Sequence, residues 1–367
     1  MTTPEVILVS EFPLPYNKIG SWSTLYKNYL SKKNNIDFIV CNEPEYFFKD
    51  VNYQIVKNNF WTHIYKKITK KRHHFFIQSL SKLIKNDKKY IVQIIDNIGF
   101  LNSFEIYVKR KNNRHQFYIQ YFYHGYVPEL NQNESDIFYN SIDEIIVLTS
   151  KAKDEIRKKT NIQSLKISYL HNGVDNQKFF VPSENLKQQL KKELNLTNKK
   201  IFVWCSQDRP KKGLQIILDL WTKKYSTTTE YVLLVIGCDK KDEIINGVQF
   251  LGKINNDLLP KYYQVADVYL FPTICEEGFG MSLIEALLCG CYCIASNYGG
   301  VSEVLNHGQY GTLINNPHDI ENWFNAIEDY TNRGAENNNI PENLYSSDKW
   351  NQEMDEIIIQ AKNKFNE

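Results

Sequence analysis

The sequence predicts an α/β protein of two domains, each a parallel sheet wrapped by helices. Three observations carry that expectation. Short apolar runs alternate with helix-length amphipathic segments along the chain. The alternation occurs as two series, separated by a charged, helical-looking stretch from Phe179 to Lys200 that holds no core strand. A chain of 367 residues with 42% hydrophobic content is also too long for one ordinary core and has the material to fill two.

The first series reads as strands at Val6 to Val9, Ile36 to Val40, Tyr90 to Ile95, Phe117 to Tyr123 and Glu144 to Leu148. The second reads as strands at Ile201 to Trp204, Tyr231 to Ile236, Val268 to Phe271 and Cys291 to Ala295, each followed by a loop rich in Gly, Asp, Asn or Ser. This places a first domain over 1–180 and a second over 190–346. Beyond them, Trp350, Met354, Ile357, Ile358 and Ala361 recur at helical spacing, with acids early and lysines late to suit the helix dipole. A terminal helix over 347–367, packing back on the first domain, is expected.

Composition narrows the function classes. No stretch approaches the roughly 20 apolar residues of a membrane span, and the opening is too short and too acidic for a secretory signal, so a cytoplasmic location is expected. Seven scattered cysteines suit reduced thiols better than a disulfide framework. The net charge of +2 hides an asymmetry: residues 1–183 hold 26 Lys/Arg against 17 Asp/Glu, net +9, and the remainder 18 against 25, net −7. No nucleic-acid-binding signature accompanies the basic half, which points to an anionic ligand or membrane surface.

The strongest local signal runs from Glu276 through Glu277, Gly278, Phe279, Gly280, Met281 and Ser282 to Glu285, directly after the strand ending at Phe271. It is a strand, a glycine loop and a helix. Glycines on either side of Phe279 let backbone approach a ligand, and the helix starting near Met281 aims free N–H groups at that space, a seat for phosphate or sugar oxygens. Glu277 in the loop and Glu285 about one turn into the helix can line one cleft, and a carboxylate accepts hydrogen bonds well from a vicinal diol. Upstream, Pro210-Lys211-Lys212-Gly213 follows another strand, where a lysine can reach a pyrophosphate.

These residues resemble the retaining glycosyltransferases of family 4, whose hallmark is E-x7-E followed by A-x-x-C/A-G; here it reads Glu277, Glu285, Ala286, Cys289 and Gly290. The resemblance implies the GT-B fold, two Rossmann-like domains facing a central cleft. It also implies a nucleotide-sugar donor, UDP-linked by family habit, and a glycan or lipid-linked glycan acceptor, as in cell-surface polysaccharide or lipopolysaccharide synthesis. Carried over residue by residue, Glu277 binds hydroxyls of the donor sugar and Glu285 the ribose diol. Backbone N–H groups of Phe279, Gly280 and Met281 assist, with Gly278 and Ser282 in the same turn. Lys212 neutralises the leaving phosphate. The family's arginine, about five residues earlier, is replaced by Gln207, so Arg209 is either a shifted substitute or a solvated surface residue.

In the first half, Gly20 and Ser21 stand where the family has a glycine-rich loop and become donor-binding candidates. His124, ending the strand from Phe117, takes by resemblance the role of a histidine that contacts the donor sugar. No D-x-D occurs, and Cys289, Cys291 and Cys293 read as small core residues, so neither metal nor cofactor is expected. The implied reaction is front-face substitution, in which the departing phosphate accepts the acceptor's proton. A nucleotide-sugar epimerase and a non-catalytic nucleotide-sugar binder are the rival readings.

From Phe60 to Lys89 the chain reads as a basic amphipathic helix. Phe60, Trp61, Ile64, Tyr65 and Ile68 form an apolar stripe beside Lys66, Lys67, Lys70, Lys71 and Arg72, and Lys66 to Lys89 holds nine Lys/Arg and one acid, Asp87. Two readings stay open: a helix lying in an anionic membrane interface, and a core helix with a solvated basic face.

Overall fold

The computed structural model describes residues 3–16, 21–160, 162–239, 244–333 and 340–366. The chain forms two compact units, residues 1–172 with 347–367, and residues 173–346. Phe179 to Lys200, expected as a linker, thus belongs to the second unit, where Glu184–Glu193 is a helix capped by Ser183.

In the first unit, β1 (Glu5–Val9), β2 (Phe38–Cys41), β3 (Asn52–Ile55), β4 (Tyr90–Ile95), β5 (Phe117–Phe122), β6 (Glu144–Val147) and β7 (Lys166–Tyr169) form one sheet in the order β3-β2-β1-β4-β5-β6-β7. Every pairing in it is parallel. Parallel sheets need cover on both faces, and alternate residues supply it. Ile7 and Val9 join Phe100, Phe104 and Phe138 on one side, while Val6 and Leu8 join Tyr26 and Tyr29 on the other. The second face is completed by the helix Ser347–Asn366, whose Trp350, Met354, Ile357, Ile358 and Ala361 are all buried there.

A polar chain crosses this apolar sheet. Gln93 donates to Gln120 at 2.9 Å, Gln120 donates to the fully buried Glu144 at 2.9 Å, and Lys166 closes on Glu144 at 3.1 Å. The Gln93 amide N–H, the Gln120 amide and the Glu144 carboxylate thereby gain partners, as burial requires, while the Gln93 carbonyl oxygen has none among the described residues.

The second unit repeats the design with β8 (Lys200–Cys205), β9 (Tyr231–Ile236), β10 (Val248–Gly252), β11 (Val268–Phe271), β12 (Tyr292–Ser296) and β13 (Gly311–Ile314), ordered β10-β9-β8-β11-β12-β13 and parallel throughout. Its core is built on Trp204, Trp221, Trp323 and Phe202. β3, β7, β10 and β13 lie at sheet edges and mix polar with apolar residues, so they make no continuous apolar run. No helix among the described residues is long and apolar enough to cross a membrane.

Candidate functional site

In the second unit the chain leaves β8 toward β9 on one side and later returns to β11 on the other. The loops after β8 and β11 therefore meet where the strand order reverses, the place at which open parallel sheets hold ligands. Backbone contacts fix both loops. The turn Pro210–Lys212 ends in Gly213 at φ +70°, and a Cβ there would lie 1.7 Å from the Pro272 carbonyl oxygen. The Ile274 N–H donates to the Lys211 carbonyl at 2.9 Å. Gly299, at φ +61°, is pressed so close to Glu277 that a Cβ would lie 2.3 Å from its carbonyl oxygen, and the Gly300 N–H donates to that oxygen at 2.8 Å. Gly299 and Gly300 thus clamp the Glu277 backbone.

On this frame the Lys212 ammonium forms a short ion pair with Glu277 Oε1, both side chains largely buried. The Thr273 hydroxyl donates to the same oxygen at 3.1 Å. Lys212 and Glu277, singled out separately in the sequence, form one unit of opposite charges; Thr273 carried no signal beyond lying in the loop. Gly278 is buried, and Gly280 at φ +92° begins the helix Met281–Leu288. As first-turn residues, Met281 and Ser282 have N–H groups with no acceptor inside the helix. The Ser282 hydroxyl receives a hydrogen bond from Tyr269 at 2.8 Å, and the Phe279 ring is buried edge-on against Tyr345. Neither side chain is freely presented, which leaves the backbone to face a ligand.

Glu285 lies in the second turn of that helix. Burial pushes its carboxyl up to about 7, offset in part by the Lys178 ammonium and the nearby Tyr263 hydroxyl. Arg209 is exposed and makes no ion pair among the described residues. Cys289, Cys291 and Cys293 are buried free thiols, and burial raises each thiol pKa.

The first unit has the same reversal between β1 and β4. His124 follows β5, and its Nδ1 lies 3.0 Å from Asp96 Oδ2, while its backbone N–H donates to Asp96 Oδ1 at 2.8 Å. Asp96 follows β4, the neighbouring strand, at φ +46°. A carboxylate on Nδ1 fixes the ring and leaves Nε2 for other partners. Sequence reasoning missed Asp96, although its position one residue past a fully buried strand was a usable signal. Gly20 lies outside the described residues, and Ser21 opens the helix Ser21–Leu30.

The stretch 60–89 is not one helix. It breaks at Lys70, which is left-handed at φ +57°, into Phe60–Thr69 and His74–Ser81. The second piece buries Phe76 and Leu80 in the core. In the first piece Phe60, Trp61 and Ile68 are more than 70% exposed, so they are not core residues.

Residues 186–347 match the model of the family described as Glycosyl transferases group 1. A lipopolysaccharide 1,2-N-acetylglucosaminetransferase of Salmonella typhimurium is 23% identical over 284 residues, 72% of this chain and 71% of that protein. The shared stretch covers 58% of the length of a glycosyltransferase of Methanocaldococcus jannaschii and 30% of a phosphatidyl-myo-inositol mannosyltransferase of Mycobacterium leprae, so the chain spans only part of these relatives. Two solved structures align nearly end to end. The lipopolysaccharide outer core galactosyltransferase WaaB is 18% identical with TM-score 0.70, covering 97% of this chain and 99% of that one. The Anabaena protein HepE in complex with UDP-glucose is 15% identical with TM-score 0.68, covering 97% and 99%. The fold, two parallel-sheet Rossmann-like units, is that of the GT-B enzymes.

Proposed function

We propose that the chain is a retaining, metal-independent hexosyltransferase. It moves a sugar from a UDP-sugar to a glycan or lipid-linked glycan acceptor in cell-surface polysaccharide or lipopolysaccharide synthesis. The observation that carries this reading is the Lys212–Glu277 pair, set by backbone contacts at the strand-order reversal beside the start of the helix Met281–Leu288. A cation and free N–H groups suit a diphosphate, and carboxylates suit sugar hydroxyls. In this reading a donor draws Lys212 from Glu277 onto its diphosphate, freeing Glu277 for the sugar, while Glu285 takes the ribose diol. His124 offers Nε2 for sugar contact. The bond from the anomeric carbon to the phosphate oxygen breaks as the acceptor oxygen attacks from the same face, and the departing phosphate takes the acceptor's proton. No cofactor is required.

The family match of the second unit and the named activity of the Salmonella relative support sugar transfer, and the UDP-glucose bound to HepE supports the donor class. The exposed Phe60, Trp61 and Ile68, with Lys66, Lys67 and Lys70, support a peripheral position on the anionic inner face of the plasma membrane. A thermal-shift panel of nucleotide sugars tests the donor, since one at 100 times its dissociation constant stabilises the fold by about 2.7 kcal/mol. Incubation with labelled UDP-sugar and glycan acceptors should then release UDP and give a product of retained anomeric configuration. Conversion to a different UDP-sugar would reveal an epimerase, and donor binding without turnover a binding protein. A glycosylated carboxylate in the mass spectrum would overturn the front-face route.

A further inference from the structure

The first unit carries a concave site of about 540 Å³ that the proposed donor chemistry does not use. Glu11, just past β1, and Asn42, just past β2, line it from the C-terminal edge of the sheet. The facing wall is the helix Phe60–Thr69, which contributes His63, Lys66 and Lys67, spaced to share one helix face, followed by Arg72. The lining thus holds three fixed cations and one carboxylate.

That carboxylate is already engaged. Glu11 lies 3.1 Å from His73 Nδ1 and 3.4 Å from Arg72 Nη2. Its pKa is lowered by the His73 contact first, against burial, and by Arg72, so it stays ionised. Among the described residues Lys66 reaches the Asn58 amide oxygen, at 3.4 Å, with no carboxylate partner, and Lys67 makes no ion pair. Two ammonium groups held on one wall of a cavity repel each other unless an anion joins them. A phosphate, which carries close to two negative charges, matches two uncompensated lysines, and lysine binds phosphate as a point charge.

We infer that this pocket binds a phosphate group of the acceptor, through Lys66 and Lys67, with His63 and Asn42 as further hydrogen-bond partners. The assignment to an acceptor rests on the transfer reading; the phosphate site itself does not. The phosphate can belong to a soluble sugar phosphate or to a lipid-linked carrier, and the two are separable.

The test uses the full chain in a Lys212→Ala background, which removes the cation of the second unit. Inorganic pyrophosphate is titrated by calorimetry with and without Lys66→Ala and Lys67→Ala. The lysine variants should bind pyrophosphate at least about tenfold more weakly. In the chain with Lys212 intact, they should leave UDP affinity and the urea midpoint unchanged. Equal pyrophosphate affinity with and without the two lysines, or no binding in their presence, overturns the site. Sedimentation with phosphatidylcholine vesicles containing phosphatidic acid that exceeds sedimentation with phosphatidylglycerol vesicles of equal charge, the excess being competed by pyrophosphate, would assign the phosphate to a lipid. Pyrophosphate binding without that excess would assign it to a soluble acceptor, and both results uphold the pocket. Failure of the unmutated chain to bind UDP would overturn the transfer reading while the pyrophosphate result still decides the pocket.

Discussion

The two units share a strand order yet build their candidate sites by different means. In the second, the site is written in the backbone: Gly213 against Pro272, Gly299 against Glu277, and hydrogen bonds from Ile274 and Gly300 fix the loops. In the first, it is written in side chains: Asp96 holds His124, Glu11 holds His73 and Arg72, and Lys66 and Lys67 project from one short helix. A backbone-built site tolerates almost no change at its glycines. A side-chain-built site can change its ligand by substitution without disturbing the sheet.

The sharpest way to break this contrast is to add one methyl group to each unit. Gly213→Ala puts a Cβ onto a carbonyl at a left-handed position and should cost about 3 kcal/mol or more in urea unfolding, with UDP binding lost. Gly99→Ala in the first unit, where the nearest atom is His73 Nε2 at 2.7 Å, should cost less, about 1 to 2 kcal/mol, because a side-chain ring held by Glu11 can still give where a backbone carbonyl cannot, and alanine favours the helix. Equal losses would erase the distinction.

Removing the paired charges comes next. Lys212→Ala should weaken UDP binding roughly tenfold to a hundredfold by calorimetry. Glu277→Ala should hold or improve UDP affinity, since Lys212 loses its competitor, while turnover falls by a similar factor. Parallel losses of UDP affinity would show that the two residues do not divide the work.

Glu285 supplies a pH test. Its folded pKa of about 7 lies above the ordinary 4.5, so its contribution to stability is full below 4.5 and is lost as pH rises through 7. Relative to Glu285→Gln, the unmutated chain should lose on the order of 3 kcal/mol across that window in urea titrations. UDP affinity should move the opposite way, rising through pH 7 as the carboxylate forms. A flat difference between the two chains would place the carboxyl in solvent.

The smallest effect on the fold belongs to Phe60→Ser with Trp61→Ser, both exposed, which should shift stability by no more than about 0.5 kcal/mol. The change should nevertheless abolish pelleting with anionic liposomes at low salt, a binding that high salt reverses in the unmutated chain. If that chain ignores such liposomes, the exposed aromatics serve another surface.

The central strands were legible because burial on both faces writes continuous apolar runs, as in β4 and β5. The half-exposed edge strands left no such trace. Glu277, Glu285 and Lys212 were legible as residue types in a spacing, but the Lys212–Glu277 pair was not, because it joins residues 65 apart through two loops. Asp96 escaped for the same reason, since its bond to His124 depends on which strands are neighbours. The break at Lys70 escaped because a left-handed lysine looks, in sequence, like any helix lysine.

The terminal helix has a consequence for the order of synthesis. The first sheet is finished in sequence by Tyr169, yet one of its faces is closed by Trp350, Met354 and Ile358. A nascent chain must therefore carry a half-covered apolar sheet while all of the second unit is translated, and at roughly 5 to 20 residues per second that wait lasts on the order of ten seconds or more. The second unit faces no such delay, its residues being contiguous from Gly173 to Ser346. In the cell the later-encoded unit can be complete first, and the earlier one is the natural client of chaperones.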